Sequence, residues 1–129
     1  MVAYFTKEFF DEMARHLNSN PAFTNTIKDF NASMLLTCVD RGVSYKITAR
    51  NGTVEVEESI EGEPADFHFA APYDVWVSIG KGEVKIQGEV VGGRVKFRGS
   101  MPKMLLYLGK LAGIERLMTK LIAEIGTEF

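Results

Sequence analysis

The apolar residues of this chain change their spacing twice, and this limits the possible fold more than any other feature. Before residue 32 they recur every three or four positions, between residues 32 and 98 they mostly alternate, and from residue 101 onward the helical spacing returns. Helical spacing is typical of helices with one buried face, and alternation is typical of half-buried strands. The pattern therefore predicts an α+β fold in which helices precede and follow one sheet.

Two helices are expected before the sheet. Thr6 is a suitable N-cap for a helix that runs to about Leu17. Asn20 and Pro21 suit the cap and the first position of a second helix, which we expect to reach about Asp29. The first helix has one apolar side, formed by Phe9, Phe10, Met13, Ala14 and Leu17.

Four strands separated by short turns should follow, over residues 32–39, 43–50, 54–57 and 66–69. Asp40–Gly42 forms the first turn, and Asn51-Gly52 is a strong signal for a type I′ hairpin. Strands joined in this way pair with their neighbours in the chain, so we expect a mostly antiparallel meander. Residues 83–90 also alternate like a strand, and residues 94–98 form the last one.

Helical segments are also expected within and after the sheet. Pro72–Gly80 should form a short helix that carries Trp76 on its apolar side. After residue 100 we expect helices that are interrupted at Gly109 and Gly113. Their apolar stripes are formed by Met101, Met104, Leu105, Leu108 and Leu111, and then by Ile114, Leu117, Met118, Leu121, Ile122 and Ile125.

The sequence has no motif that predicts catalysis or cofactor binding. His16 and His68 are isolated, and Cys38 ends an apolar strand, where a buried thiol is expected. The glutamates between residues 55 and 63 lack the spacing of a calcium loop, and the glycines match no phosphate-binding pattern. We therefore predict no catalytic residue, no cofactor and no metal site, and a protein that is not an enzyme.

Composition and charge bear on the compartment and the partners. Cys38 is the only cysteine, and the first ten residues do not resemble a secretory signal, so we expect a cytoplasmic protein. Seven basic residues but only one acidic residue lie between positions 94 and 120. This predicts weak contact with an anionic membrane surface, whereas nucleic acid is not expected because Phe97 lies opposite the basic face of its strand. The cations expected to contact the membrane are Lys103, Lys110, Arg116 and Lys120.

The order of motifs between residues 65 and 105 carries a family resemblance. ADFHF at 65–69 precedes a Trp-bearing helix that closes with GKG at 80–82, and GRVKFRG at 93–99 leads into MPKML at 101–105. This order resembles the sterol carrier protein type-2 (SCP-2) family. One difference is that the family has a helical aliphatic segment where residues 83–90 of this chain alternate like a strand.

The resemblance implies a single domain over residues 1–129, in which helices cover one face of a five-stranded sheet and enclose an apolar tunnel. It also implies non-catalytic binding or transfer of a fatty acid, acyl-CoA, sterol or phospholipid, with residues 114–125 as a lid. The side chains that it implies for the tunnel are Phe67, Phe69, Trp76, Ile79, Phe97, Met101, Met104, Leu105, Leu108, Leu117, Met118 and Leu121.

Two other functions remain open at this point. The first is a small structural or interaction domain with a filled core, whose apolar helices form a homodimer. The second is an accessory subunit or a minimal enzyme that uses the cavity. Co-purified lipid would favour the lipid carrier, and an empty dimer would favour the interaction domain.

Overall fold

The structure, a computed structural model, describes the backbone of residues 1–129 and the side chains of all residues except 108–112. The elements, in chain order, are β1 (Val2–Ala3), α1 (Lys7–Asn18), α2 (Pro21–Thr26), β2 (Ala32–Cys38), β3 (Val43–Arg50), β4 (Thr53–Ser59), β5 (Phe67–Ala71), α3 (Tyr73–Gly80), α4 (Ile86–Val91), β6 (Lys96–Gly99), α5 (Met101–Glu124) and β7 (Thr127–Glu128).

Five strands form the main sheet in the order β4-β3-β2-β5-β6. All neighbours are antiparallel except β2 and β5, which are parallel. The short strands β1 and β7 pair in parallel and bring the two ends of the chain together. The predicted α+β fold with a mostly antiparallel sheet of about five strands is therefore confirmed.

The predicted meander is wrong at its fourth strand, because β5 pairs with β2 and not with β4. Side-chain hydrogen bonds fix this position. The Ser33 backbone N–H donates to Asp66 Oδ2 at 2.8 Å, and the Asp66 backbone N–H donates to Ser33 Oγ at 3.0 Å. These bonds join the starts of two strands that are 33 residues apart in the chain, a long-range pairing that local turn signals do not reveal.

The two helix caps and the hairpin turn that the sequence predicts are confirmed, because each depends only on neighbouring residues. Thr6 Oγ1 accepts a hydrogen bond from the Phe9 N–H, and Asn20 Oδ1 accepts one from the Phe23 N–H. Each bond satisfies an N–H that the first turn of a helix leaves free. Asn51 and Gly52 have φ values of 53° and 81°, as a type I′ turn requires.

Residues 83–90 do not form the predicted strand, since α4 begins at Ile86. Ile86 and Val90 are four residues apart, a spacing that places both on one side of a strand or of a helix. The choice depends on a distant residue: the Ile86 N–H donates to Glu115 Oε1 on α5 at 2.9 Å and so starts the helix. The helix α4 therefore agrees with the helical segment that the SCP-2 family has at this place in the chain.

The predicted break at Gly113 is also wrong, because α5 is one helix from Met101 to Glu124. Ser100 caps it, with its Oγ accepting from the Lys103 N–H at 3.3 Å. A glycine inside a helix costs only about 1 kcal/mol, which packing of the apolar residues of α5 offsets. The predicted interruption at Gly109 is wrong for the same reason, because α5 runs without a break from Met101 to Glu124.

The core occupies one face of the main sheet. Side chains alternate between the faces, so Met34, Leu36 and Phe69 point toward the helices while Leu35 and Thr37 point the other way. The outer face is mainly polar. One row across it, given by the strand register, contains Glu57, Lys46, Leu35, His68 and Arg98.

Candidate functional site

A cavity of about 270 Å³ lies between the inner face of the sheet and the helices. Met34 and Leu36 of the central strand belong to its floor, yet both are only half-buried. Because these side chains face the interior, their exposed surface faces the cavity. The other strand residues in the wall are Ile47, Ala49, Val54, Val56, Phe67 and Phe69.

The N-terminal third of the chain supplies much of the rest of the wall. Phe9, Phe10, Met13 and Leu17 are the buried side chains of α1, and all four line the cavity. Sequence analysis identified this apolar helix face but did not assign it to the site. A signal was present, because five of the nine phenylalanines precede residue 31. The further N-terminal wall residues are Tyr4, Phe5, Ala14, Phe23, Ile27 and Phe30.

Trp76 of α3 lies in the cavity wall and is held at two points. Its Nε1–H donates to the Thr37 carbonyl oxygen at 2.9 Å, and its own carbonyl oxygen accepts from the Tyr4 hydroxyl at 2.6 Å. Burial raises the pKa of Tyr4 well above its ordinary value, with smaller contributions from Tyr73 and Cys38. The hydroxyl therefore stays protonated at neutral pH and remains a donor.

Phe5 closes the wall beside Trp76, with 5.2 Å between their ring centroids. Its backbone has a φ of 57°, a left-handed conformation that costs a bulky residue on the order of 1–3 kcal/mol. Contacts offset this cost, since the Phe5 ring is 3 % exposed and meets Phe10 edge-on at 5.1 Å. The short connection between β1 and α1 thus holds an aromatic side chain against the cavity.

Polar side chains enter the wall mainly at one place, where Lys85, Gln87 and Glu115 line the cavity. Lys85 and Gln87 are exposed, so the cavity meets solvent between the start of α4 and the middle of α5. Glu115 is occupied in part by its bond to the Ile86 N–H. This opening is the part of the wall where a polar group of a ligand can stay hydrated.

The interior surface offers little to a polar ligand. Among the side chains that the structure describes, no buried nitrogen or oxygen atom lacks a hydrogen-bond partner. The polar atoms of Tyr4 and Trp76 are engaged with backbone carbonyls. The wall therefore suits contact with an apolar molecule better than contact with a polar one.

The described residues also lack a reactive centre at the cavity. Burial, together with a hydrogen bond from Cys38 Sγ to Asp40, raises the pKa of the Cys38 thiol to about 11, so the thiolate nucleophile is scarce at neutral pH. His68 lies on the outer face of the sheet, and His16 is on α1 beside Glu12. Within the described part of the chain, no cluster of three His, Cys, Asp or Glu could hold a metal ion, and no helix is long and apolar enough to cross a membrane.

The structure places six of the twelve side chains proposed from sequence in the cavity wall. They are Phe67, Phe69, Trp76, Ile79, Met104 and Met118. Phe97 does not line the cavity but lies beside Phe69 on the same face of the sheet, with its ring centroid 5.2 Å from that of Phe69 and 6.1 Å from that of Phe67. Leu108 lies outside the described side chains.

Four residues of α5 on the proposed list do not line the cavity. Met101 and Leu105 are exposed, Leu117 is half-buried, and Leu121 is buried elsewhere in the core. Successive residues of a helix are rotated by about 100°, which places Leu105 about 100° and Leu117 about 140° from Met104. The apolar face predicted for α5 from sequence is therefore wider than the part of the helix surface that lines the cavity.

Comparison with known proteins agrees with this architecture. The model of the SCP-2 sterol transfer family matches residues 10–109. A crystal structure of sterol carrier protein 2 superposes with a TM-score of 0.74 at 16% identity, covering 90% of this chain and 96% of that one. A conserved hypothetical protein from Thermus thermophilus, described as "possibly sterol carrier protein", gives 0.76 at 17% identity, covering 96% and 90%.

The fold is also found as part of a larger protein. A stereoselective inverting sec-alkylsulfatase from a Pseudomonas species superposes with a TM-score of 0.61 at 20% identity, covering 78% of this chain but 15% of the enzyme. No curated protein sequence matches the chain. These structural likenesses show the fold, and the family model covers most of the chain from α1 to α5. The protein belongs to the SCP-2 sterol transfer family.

Proposed function

We propose that the protein binds one long-chain lipid in the cavity and carries it without altering it. Membership of a sterol transfer family supports lipid binding or transfer in general. The observation that carries the finer proposal is an apolar cavity of about 270 Å³, bounded by aromatic and aliphatic side chains and open beside Lys85 and Gln87.

The cavity volume favours a single acyl chain over a bulkier ligand. It lies just below the ~300–1,000 Å³ typical of drug-sized ligand sites and above the ~150 Å³ of a cavity that takes up benzene. Of the ligand classes considered, a fatty acid or the acyl part of acyl-CoA has the narrowest apolar portion. Its polar end would remain at the opening beside Lys85 and Gln87.

The driving force is the removal of the chain from water. Each buried methylene contributes roughly 0.8 kcal/mol, so a long chain can reach micromolar affinity, about −8 kcal/mol, after the costs of association. Specificity for chain length should be low, because an apolar wall separates chains that differ by one methylene by only about 1–3 kcal/mol.

Fluorescence titration of Trp76 tests the proposal, because this residue is the only tryptophan and lies in the wall. Palmitate should change the emission in a saturable way, and native mass spectrometry should show one lipid per chain. The absence of a saturable change with any long-chain lipid would contradict the proposal, and an empty dimer would support the interaction domain instead.

A matched pair of substitutions locates the ligand. Ala49→Leu adds three carbons in the cavity wall, whereas Ala123→Leu adds the same carbons on the exposed side of α5. The first should weaken palmitate binding on the order of tenfold, as loss of room for one or two methylenes requires. The second should leave it unchanged. Equal weakening by both substitutions would place the lipid elsewhere.

A further inference from the structure

The main sheet ends on two strands that have a neighbouring strand on one side only. Strand β4 lies at one end of the strand order and β6 lies at the other, and within the described residues no further strand pairs with either edge. Edge strands carry backbone N–H and C=O groups that can pair with a strand of another molecule. The hydrogen bonds around β4 and β6 show which of these groups point outward.

At β4 the outward groups belong to every second residue. The Asn18 side chain accepts from the Val54 N–H at 2.8 Å and donates to the Val54 carbonyl oxygen at 2.9 Å, so the Val54 backbone faces away from β3. Because this direction alternates along a strand, the backbone of Val56 also points outward. The neighbouring side chains of Glu55 and Glu57 are exposed on the outer face of the sheet.

At β6 the outward groups belong to Phe97. The Val39 N–H donates to the Ala71 carbonyl oxygen at 3.0 Å, so the backbone of Ala71 faces β2. By the same alternation the backbone of Ala70 faces β6 and pairs with Lys96. The backbone of the next residue, Phe97, therefore points away from the sheet.

The two edges carry charges of opposite sign on the outer face. Glu55 and Glu57 lie on β4, Lys96 and Arg98 lie on β6, and all four are exposed. None of them forms a salt bridge with the side chains that the structure describes, although Lys46 lies opposite Glu57 in the sheet. Pairing two β4 strands or two β6 strands would bring like charges together, whereas pairing β4 with β6 brings opposite charges together.

The strand directions allow β4 of one copy to pair with β6 of another. β4 is parallel to β2, because both are antiparallel to β3, and β6 is antiparallel to β5, which is parallel to β2. β4 and β6 therefore run in opposite directions. A second copy displaced sideways in the same orientation brings its β6 antiparallel to β4, with the outer faces of both sheets on the same side.

We propose that β6 of one copy of this chain adds to β4 of a second copy, in the register that places Val56 opposite Phe97. This register joins the two outward-pointing backbones by a pair of hydrogen bonds. It also sets the carboxylates of β4 opposite the cations of β6. These pairs are Glu55 with Arg98 and Glu57 with Lys96. The inference goes beyond lipid binding, because the contact needs no ligand in the cavity.

Neighbouring groups limit the contact to residues 55–57 and 96–98. Asn18 already occupies the backbone of Val54, and the Val95 N–H donates to the Glu89 carbonyl oxygen at 3.1 Å. Such a short contact belongs to the class of small, transient interfaces, below about 1,200 Å², so association should be weak and should increase with concentration. Because the contact is heterologous, each pair of copies keeps one free edge of each kind and can add further copies.

Two charge-reversed variants test the contact by sedimentation velocity. Glu55→Lys with Glu57→Lys makes both edges basic, and Lys96→Glu with Arg98→Glu makes both edges acidic. The sedimentation coefficient of the unmodified chain should rise with concentration, and less so at high salt. Each variant alone should associate more weakly on the order of tenfold or more, because like charges then face each other.

An equimolar mixture of the basic-edge and acidic-edge variants should associate again, because each basic edge then meets an acidic one. In this mixture the amide signals of Val56 in the basic-edge variant and of Phe97 in the acidic-edge variant should shift in the NMR spectrum. Asp29→Lys with Glu83→Lys is the matched control, since it makes the same change of net charge as the basic-edge variant at exposed residues outside both edges. This control should associate as the unmodified chain does.

Three results would overturn the edge contact: an unmodified chain that stays monomeric at every concentration, a mixture of the two variants that does not associate, or a control that loses association as the basic-edge variant does. Trp76 titration with palmitate tests the proposed function separately, because none of the four substituted edge residues lines the cavity. Failure of palmitate to bind would reject the cavity proposal and leave the edge contact to be decided by sedimentation.

Discussion

In a sheet that helices cover on one face only, the side chains on the covered face are expected to be the more buried ones. The central strand β2 shows the reverse. Leu35 lies on the outer face and is only 1 % exposed, whereas Met34 and Leu36 lie on the inner face and are half-buried. In the register of the sheet Leu35 lies between Lys46 and His68. Two residues further along the same face, the Thr37 and Ser44 hydroxyls share a hydrogen bond of 2.7 Å. The inner face is open because the helices leave a cavity above it.

This difference shows that the core contains a space that its own side chains do not fill. Protein interiors are normally close-packed, and filling the space above Met34 and Leu36 would increase their burial. The open stretch is local. At the end of the same inner face, Cys38 is 0 % exposed and does not line the cavity. The space therefore lies over the part of the inner face to which α1, α3 and α5 contribute wall residues.

The largest expected effect is the contrast between Leu35→Ala and Leu36→Ala. Removing the closely packed Leu35 side chain should lower the free energy of unfolding by about 3 kcal/mol. Leu36→Ala should cost roughly half as much, because part of that side chain is already exposed in the cavity. Urea unfolding measures both, and an equal or larger cost at Leu36 would mean that the inner face is filled.

A smaller effect is expected at the wall beside Trp76. A Cβ atom at Gly80 would lie 2.7 Å from the Tyr4 hydroxyl oxygen, which donates to the Trp76 carbonyl. Gly80→Ala should therefore displace Tyr4, lower the free energy of unfolding by about 2 kcal/mol and change the Trp76 emission.

Gly88→Ala is the matched control for Gly80→Ala. Gly88 is also in a helix, but a Cβ there would have no atom within 4 Å. Alanine should therefore be neutral or stabilise by up to about 1 kcal/mol through its helix propensity. Unchanged stability and emission of Gly80→Ala would show that the Tyr4 contact does not fix the wall.

The buried thiol of Cys38, at the end of the inner face, should make the free energy of unfolding depend on pH. The folded chain holds the pKa of Cys38 at about 11, raised by burial and by Asp40, and an unfolded thiol titrates near 8.5. A raised pKa of the folded state means that the unfolded chain loses its proton first. The contribution is complete below about pH 8.5 and falls between there and pH 11, by up to about 1.4 kcal/mol per pH unit.

Cys38→Ala checks this pH dependence. The substitution should make the fall in unfolding free energy between pH 8.5 and 10 shallower, as urea unfolding at several pH values would show. Part of the fall should remain above pH 10, because burial also raises the pKa of Tyr4. Identical slopes for the two proteins would show that the thiol is not protected by burial.

The sequence predicts well the features that depend on neighbouring residues. The caps at Thr6 and Asn20, the turn at Asn51-Gly52 and the helix that carries Trp76 are all formed as predicted. The ordered motifs between residues 65 and 105 also predicted the family, which the family model confirms. These features need only a local hydrogen bond, a permitted φ or a short apolar pattern.

Other features depend on contacts between distant parts of the chain. The bonds between Asp66 and Ser33 set the strand order, and Glu115 starts α4 at Ile86. The wall of the cavity also depends on such distant contacts. From sequence alone Phe9 and Met13 are expected to be ordinary core residues, and only the structure shows that they face the space above Leu36. Periodicity identifies which side chains face inward but not which of them meet an unfilled volume.

Nuclear Overhauser effects between a bound fatty acid and the methyl groups of the protein test most directly that the cavity holds lipid. Palmitate should give intermolecular effects to the methyl groups of Leu36, Ile47 and Met118, which line the cavity. It should give none to Leu35, the adjacent residue on the outer face. Effects at Leu35 equal to those at Leu36, or none at any of the three inner methyl groups under saturating palmitate, would contradict lipid binding in the cavity.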